Sequence, residues 1–393
     1  MNFLICFLES LKLGLTSFGG PVAHLAYFRN AYVERLKWLS EERFAELLAV
    51  CQFMPGPASS QLGAAIGYEK GGWLGGLGAW LGFTLPSAIL MILFVSGMDF
   101  LDGWVGSGWI QGLKIVAIAV VANAVLGMQK SLCPNAKGLS IAVLVAAILI
   151  IFQVPLLQPL LILLGGMLGI VLFRKITPSD NQAKDKLNHP WVSLVVLGCF
   201  VAAVVIISSV RFTDNEATML AGLTKTGSMV FGGGHVVLPL LEAETVGKGL
   251  MTQKGPMTQD EFLAGYGLAQ AVPGPMFTFG TYIGSLVGVD GNPWLGGALG
   301  TIAIFLPGMI LLTIGMPIWN AYKNITYVRA ALKGASAAVV GLILAALVYM
   351  LRAGAISNVL EASVALALAI VIYKKWVPVW LVVLSGIGIG FVL

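Results

Sequence analysis

The chain has 393 residues, 58% of them hydrophobic and only 10% charged, with a mean hydropathy of +0.90. No soluble domain of that size has this composition, so the sequence specifies a polytopic membrane protein. The net charge of +5 would suit nucleic acid on a soluble protein, but here the basic residues fall mostly in short loops between apolar runs, as the positive-inside rule requires, and no nucleic-acid partner is expected.

In chain order, apolar runs able to cross or half-cross a bilayer occupy 3–18, 44–66, 73–95, 109–128, 139–152 and 156–173. A polar stretch, 174–190, carries Asp180, Asn181, Gln182, Lys184, Asp185 and Lys186 and predicts a solvent linker. A lone span follows at 191–210. The pattern then restarts at 220–231, 262–289, 294–314, 328–350, 356–373 and 377–393. The predicted organisation is a first repeat over 1–173, a linker with one connecting helix over 174–218, and a second repeat over 219–393. Residues 1–10 lack a basic leader and carry Glu9, so they are expected to be helix rather than a cleavable signal.

The repeats match in motif as well as in number. Phe18-Gly19-Gly20-Pro21 aligns with Phe231-Gly232-Gly233-Gly234, Ser40 to Phe44 with Thr258 to Phe262, Trp73-Leu74-Gly75-Gly76 with Trp294-Leu295-Gly296-Gly297, and Leu85-Pro86 with Leu306-Pro307. Gln52-Phe53-Met54-Pro55-Gly56-Pro57 aligns with Gln270-Ala271-Val272-Pro273-Gly274-Pro275. Neither Pro of such a triplet can donate an amide, and the residue before each is pushed out of the α region, so an apolar helix must stop there and restart. With Gly as the cap and Pro57 or Pro275 as the first helical residue, each new helix points free amides at the break, which is an anion site within the membrane. Phe-Gly-Gly predicts a second, unwound break in each half. Gly71, Gly72, Gly75, Gly76 and Gly78 predict close helix packing.

If every run crosses the membrane, an odd number separates the two repeat starts and the halves are inverted, the arrangement of broken-helix secondary transporters. A Pro-Gly-Pro element that turned back instead would change that parity. Under full crossing, Arg29, Arg35, Lys37 and Arg43 fall on the face opposite to Lys70, Lys130 and Lys137, against the positive-inside trend.

Candidate binding residues follow from the alignment. Lys12 pairs with Lys225 and Lys114 with Lys333, and a lysine inside a span is a functional candidate because it costs a few kcal/mol to insert. Gln52 and Gln270 precede the breaks, and Ser59, Ser60 and Thr278 follow them, as uncharged donors. Together with Pro55, Gly56, Pro57, Pro273, Gly274 and Pro275, they suit a small oxyanion. His24, His189 and His235 form no metal-ligand cluster, and His24 is expected to make a plain polar contact. Cys6, Cys51, Cys133 and Cys199 fall singly and predict small buried hydrophobes. No hydrolase or metalloprotease motif is present, so neither an enzyme activity nor a cofactor is expected.

The segment Lys12 to Pro21, both Gln-x-x-Pro-Gly-Pro breaks and Phe231-Gly232-Gly233-Gly234 together resemble the chromate ion transporter family in its long, two-domain form, over essentially the whole chain. The resemblance implies a substrate site drawn from Phe18, Gly19, Gly20, Phe231, Gly232 and Gly233 with the breaks just named. It implies export of chromate, a tetrahedral dianion like sulfate, across the bacterial plasma membrane, driven by the membrane potential or a proton gradient and giving chromate resistance. The partners would be that oxyanion and the lipid bilayer, with a homodimer as one compatible assembly. Pro21 stands where the second half has Gly234, so the two hinges are chemically unequal.

Overall fold

The computed structural model describes residues 2–18, 20–105, 108–152, 157–173, 190–210, 212–230, 237–322, 325–352, 356 and 358–390. The fold is all-α and polytopic. Its organising units in each half are two helical hairpins that enter the membrane and turn back.

In the first half, α1 (Asn2–Thr16) is followed by α2 (Gly20–Phe28), which runs on into a π-helical stretch, Arg29–Arg35. The returning chain lies against the entering one: Ser10 Oγ meets Tyr32 Oη at 2.7 Å and Arg35 reaches Glu9 at 2.7 Å. Next, α3 (Glu41–Phe53) starts on a Ser40 cap that accepts from the Arg43 amide. It is paired with the first arm of α4 (Ala58–Val105), because Arg43 near the start of α3 bonds Glu69 near the end of that arm at 2.5 Å. α4 then folds at Gly71 and at Gly72, whose φ is +63°, so its arms are 58–70 and 73–105. Thus Gly72 makes a turn with open space around it, whereas Gly71, Gly75, Gly76 and Gly78 pack on Asn2, Gly67, Ala64 and Phe3 as the sequence predicts.

The second half repeats the plan. α9 (Asn215–Met229) and α10 (Val237–Glu244) are joined by Lys225 and Glu244 at 2.5 Å. α11 (Gln259–Ala271) begins with a capping box on Thr258 and Glu261. It pairs with α12 (Phe279–Val287) through Tyr282 Oη, which donates to the Glu261 carbonyl at 2.9 Å, and through the Phe262 and Phe279 rings, 5.0 Å apart.

Of the two alternatives left open by the sequence, crossing or turning back, the helix geometry fits turning back. Helices α3 and α11 have 13 residues each, a length of about 20 Å, short of the ~30 Å hydrocarbon layer. The start of α3 meets the end of its partner arm, and Gln253 N, just ahead of α11, donates to the Leu286 carbonyl near the end of α12 at 2.9 Å, so the Pro-Gly-Pro triplets are the tips of helical hairpins. Between the two sets of hairpins lie the 73–105 arm, α5 (Gly108–Leu132), α6 (Ala136–Ile151), α7 (Leu157–Leu172) and α8 (Pro190–Ser209), of which the arm and α5 are long and apolar enough to cross a membrane. The inversion is read from packing. The long arm of α4 packs on its counterpart α13 (Pro293–Tyr322) with Trp80 beside Phe305 and Ile92 beside Gly297, so the equivalent helices run antiparallel.

The remaining helices interlock the halves. α5 packs against α15 (Val359–Lys374) and α16 (Val379–Gly390), and its own counterpart α14 (Thr326–Arg352) packs against α6 and α7. Small residues permit the approach: Gly112 against Gly386 and Gly390, and Gly165 and Gly169 against Gly334. Asn123 Nδ2 donates to the Ala369 carbonyl at 2.9 Å, closing the α5–α15 seam. Cys6, Cys51 and Cys133 are buried as expected, while Cys199 on α8 is exposed.

Candidate functional site

The two Pro-Gly-Pro tips have the same backbone. α3 ends at Phe53 with Met54 extended, and α11 ends at Ala271 with Val272 extended. Gly56 and Gly274 take φ of +123° and +102°, a region open to glycine. The helix restarts when Gln61 N donates to the Pro57 carbonyl at 2.9 Å, and in the second half when Thr278 N donates to the Pro275 carbonyl at 3.1 Å. Pro is thus the capping residue at each restart, with Gly one position outside it, which corrects the expected assignment by one residue. Ala58, Ser59 and Ser60 begin α4 with no helical acceptor for their amides.

Each tip is tied to the other half. The Gly56 amide donates to the Val230 carbonyl at 2.7 Å, and the Gly274 amide donates to the Ser17 carbonyl at 2.9 Å. Ser17 and Val230 are the residues immediately before the two Phe-Gly-Gly motifs, so the bonds are related by the pseudo-twofold axis. The tips also press on the opposite long helix. A Cβ on Gly56 would lie 2.8 Å from Gly308 Cα, and one on Gly274 would lie 2.8 Å from Ser87 Oγ. Ser87 and Gly308 follow the aligned prolines Pro86 and Pro307. There are consequently two junctions. The first is made by the α1–α2 tip, the 83–87 stretch of α4 and Gly274; the second by the end of α9, the 304–308 stretch of α13 and Gly56.

Of the predicted site residues, the structure gathers Pro55, Gly56, Pro57, Ser59 and Ser60 at the second junction and Phe18, Gly20, Pro273, Gly274, Pro275 and Thr278 at the first. Gly19, Phe231, Gly232, Gly233, Gly234 and His235 lie outside the described residues. Gln52 is exposed on α3 and does not face the tip. Its counterpart Gln270 is buried, with Nε2 3.1 Å from Met276 Sδ. Thr278 Oγ1 is occupied by the Pro275 carbonyl at 2.8 Å.

The lysines are not bare countercharges. Lys12 is exposed and bonded to Glu9, which also takes Arg35. Lys225 bonds Glu244 at 2.5 Å, and Glu244, buried, also takes Lys248 at 2.5 Å. Each pseudo-equivalent hairpin thus holds two cations on one carboxylate, a cluster that stays formally cationic. Lys114 is buried away from the tips and paired at 3.0 Å with Asp260 at the start of α11. Lys333 is exposed. These two are the corrected members of the set: neither lies at a junction. Glu46 bonds Arg43 at 2.8 Å at the outer end of its hairpin.

Several polar groups at the junctions stand bare: Ser60 is a predicted site residue and a polar contact is expected of His24, whereas the sequence does not single out Ser17, Gln61, Thr84 or Thr226. Ser17 Oγ, both nitrogens of His24, Ser60 Oγ, Gln61 Oε1, Thr84 Oγ1 and Thr226 Oγ1 are buried with no hydrogen-bond partner in the protein. Such groups are uncommon in a folded interior and mark places where something else binds. The polar contact expected for His24 is a main-chain one, to Ser17, short of full hydrogen-bond geometry. Its ring stands edge-on to Phe83, 5.3 Å between centroids, beside the Ser17 main chain. The available signal was position: Ser17 and Gln61 each adjoin a residue already singled out.

Comparison with known proteins places this geometry. The chromate transporter family model matches residues 4–170 and 217–391. A transporter of uncharacterised function from Methanocaldococcus jannaschii is 26% identical over 98% of this chain and 93% of its own. A chromate transport protein of Pseudomonas aeruginosa is 29% identical over 87% of this chain and 80% of its own, and a probable chromate transport protein of Synechococcus elongatus is 28% identical over 87% and 83%. No solved structure matches the chain. Two matched regions that cover both inverted halves, with the motif tips inside them, establish that the chain belongs to the chromate transporter family, whose members are membrane transporters rather than enzymes.

Proposed function

We propose that the protein is a secondary active carrier that exports chromate from the cytoplasm across a bacterial plasma membrane, and so confers chromate resistance. Its moving parts would be the two repeats, 1–173 and 219–393, joined by 174–218. The observation that carries this is the pair of tips, each bonded to the other half: α2 and α12 begin at the first junction and α4 at the second, so each junction receives the positive end of at least one helix. A small dianion fits that field, and a static pore does not need tips locked across two halves.

Orientation follows from the hairpins. Arg29, Arg35, Lys37, Arg43 and Lys70 share the face at which the first-half hairpins open. Lys130, bonded to Tyr373 at 2.6 Å, and Lys137, bonded to the Leu172 carbonyl at 3.0 Å, lie on the same face because α5 returns to it. Lys248 and Lys254 lie on the other. The discordance under full crossing is removed, and the basic face is cytoplasmic.

The test is transport in proteoliposomes loaded with labelled chromate, with the membrane potential and proton gradient imposed separately. Saturable efflux that stops when both gradients are collapsed supports the carrier. Gradient-independent, non-saturating flux would show a channel, and displacement of chromate by sulfate at equal concentration would show a general tetrahedral-dianion carrier.

A further inference from the structure

The two junctions are related by the pseudo-twofold axis but not by chemistry. With Phe18 aligned on Phe231, Ser17 corresponds to Val230 and His24 to Val237; with Pro86 aligned on Pro307, Thr84 corresponds to Phe305. All six side chains are buried, Ser17, His24, Val230, Val237 and Phe305 at 0% exposure and Thr84 at 2%. At these positions the first junction thus carries an imidazole and two hydroxyls, and the second carries hydrocarbon. No side chain partners either ring nitrogen of His24 or the hydroxyl of Ser17, and the polar group beside the ring is the Ser17 main chain. They stand next to the Gly274 tip, whose amide holds the Ser17 carbonyl.

The second junction keeps the bare hydroxyls of Ser60 and Thr226 but has no imidazole, and its one bare amide atom is of the wrong kind for an anion. Gln61 there spends its amide nitrogen on the Pro55 and Gly308 carbonyls, at 2.9 and 2.8 Å. Two carbonyls fix the orientation of that amide, so the bare atom it turns inward is Oε1, an acceptor. An acceptor repels an oxyanion. At the first junction the bare groups are a ring that carries an N–H in either tautomer and hydroxyls that can rotate to donate.

We infer that the transported oxyanion is held at one junction and not at both, and that its seat is the pocket of His24 and Ser17 beside Gly274, with His24 as the ligand-contacting residue that distinguishes this junction from its mate. This rests on the proposed oxyanion transport. It explains why an imidazole is kept fully buried with no side chain to satisfy it.

The experiment is equilibrium binding of labelled chromate and sulfate to the purified full-length protein in detergent, alongside thermal unfolding. His24→Leu removes both ring nitrogens and makes the pocket resemble its mate. Chromate binding should weaken at least tenfold while the melting temperature stays level or rises, because a buried polar group with no side-chain partner has been replaced by hydrocarbon. His24→Gln, which keeps a donor, should recover part of the binding. If His24→Leu reduces the yield of monodisperse protein, Ser17→Ala tests the same pocket with a smaller change and should weaken binding several-fold. Binding within twofold of the unaltered protein in His24→Leu, or in Ser17→Ala where that variant is used, overturns the seat while leaving oxyanion transport standing. Failure of the unaltered protein to bind either ion overturns the oxyanion reading itself.

Discussion

Lys225 and Lys12 occupy aligned positions, yet their surroundings give them different consequences. The Lys12 side chain is 61% exposed although Glu9 is only 16% exposed, so one end of the pair is open and its worth lies nearer the ~0–1 kcal/mol of surface pairs than that of a pair buried at both ends. Glu244, the partner of Lys225, is 6% exposed, and stripping one member from a buried pair leaves an uncompensated charge at a cost of about 3–5 kcal/mol. Glu244→Gln should therefore destabilise far more than Glu9→Gln, read as melting temperature in detergent. Equal losses would mean that the Glu244 cluster is hydrated in the membrane. A second residue-scale prediction concerns Gly56. At φ +123°, with a Cβ forced to 2.8 Å from Gly308 Cα, Gly56→Ala should destabilise by about 1–3 kcal/mol. Gly249, also left-handed at φ +63° but with open space around it, should tolerate Ala at about 1–2 kcal/mol. The lysine alignment was legible in sequence, but the carboxylates were not. Glu9 lies three positions from Lys12 on its own helix, whereas Glu244 reaches Lys225 only because α10 folds back.

At the scale of the element, the Pro-Gly-Pro triplets behave as tips rather than as interruptions. From sequence alone, changing Pro55, Gly56 and Pro57 together to Ala would be expected to complete a helix and add stability through propensity. In the folded chain a continuous helix from 41 to 70 would carry Glu69 roughly 40 Å from Arg43 instead of beside it. It would also remove the Gly56 bond to Val230. The triple variant should accordingly lose its folded yield, measured by size exclusion in detergent, and not merely its transport. A monodisperse, stable triple variant would show that the hairpin is not required. The breaks themselves were readable because proline's missing donor is a local fact. Their re-entry was not, because two short apolar helices in succession have the hydropathy of one span, and what separates them is a contact between residues 43 and 69.

For the whole molecule, inversion and interlocking make definite demands. Lys70 lies at the turn after the first-half hairpins, and Asp290, whose amide bonds Glu216 at 2.9 Å, lies at the matching turn of the second half. In a background lacking Cys6, Cys51, Cys133 and Cys199, Lys70→Cys should react with an impermeant thiol reagent from the cytoplasmic face and Asp290→Cys from the opposite face. Reaction of both from one face would remove the inversion. The exchange of partners, α5 with α15 and α16 while α14 holds α6 and α7, further predicts that the halves expressed separately assemble only when present together. Duplication was plain in the sequence from Trp73 and Trp294 and from the paired Pro-Gly-Pro motifs. The exchange was not, since a glycine such as Gly112 or Gly334 announces a close approach without naming its partner.

The reciprocal bonds from Gly56 to Val230 and from Gly274 to Ser17 have a bearing on how such a protein can be altered at all. Both donors are main-chain N–H groups, and both acceptors are main-chain carbonyls. No ordinary codon change deletes them: nineteen of the encoded amino acids keep the donor, and proline cannot reach φ +123° or +102°. A scan of side chains would pass over these four residues and record only the clash created at each glycine. The clasp between the halves is thus written in backbone, open to chemical editing by replacing an amide with an ester but nearly closed to mutation. Evolution could vary the side chains around it, placing an imidazole at one junction and a valine at the matching place in the other, while the clasp itself stayed the same.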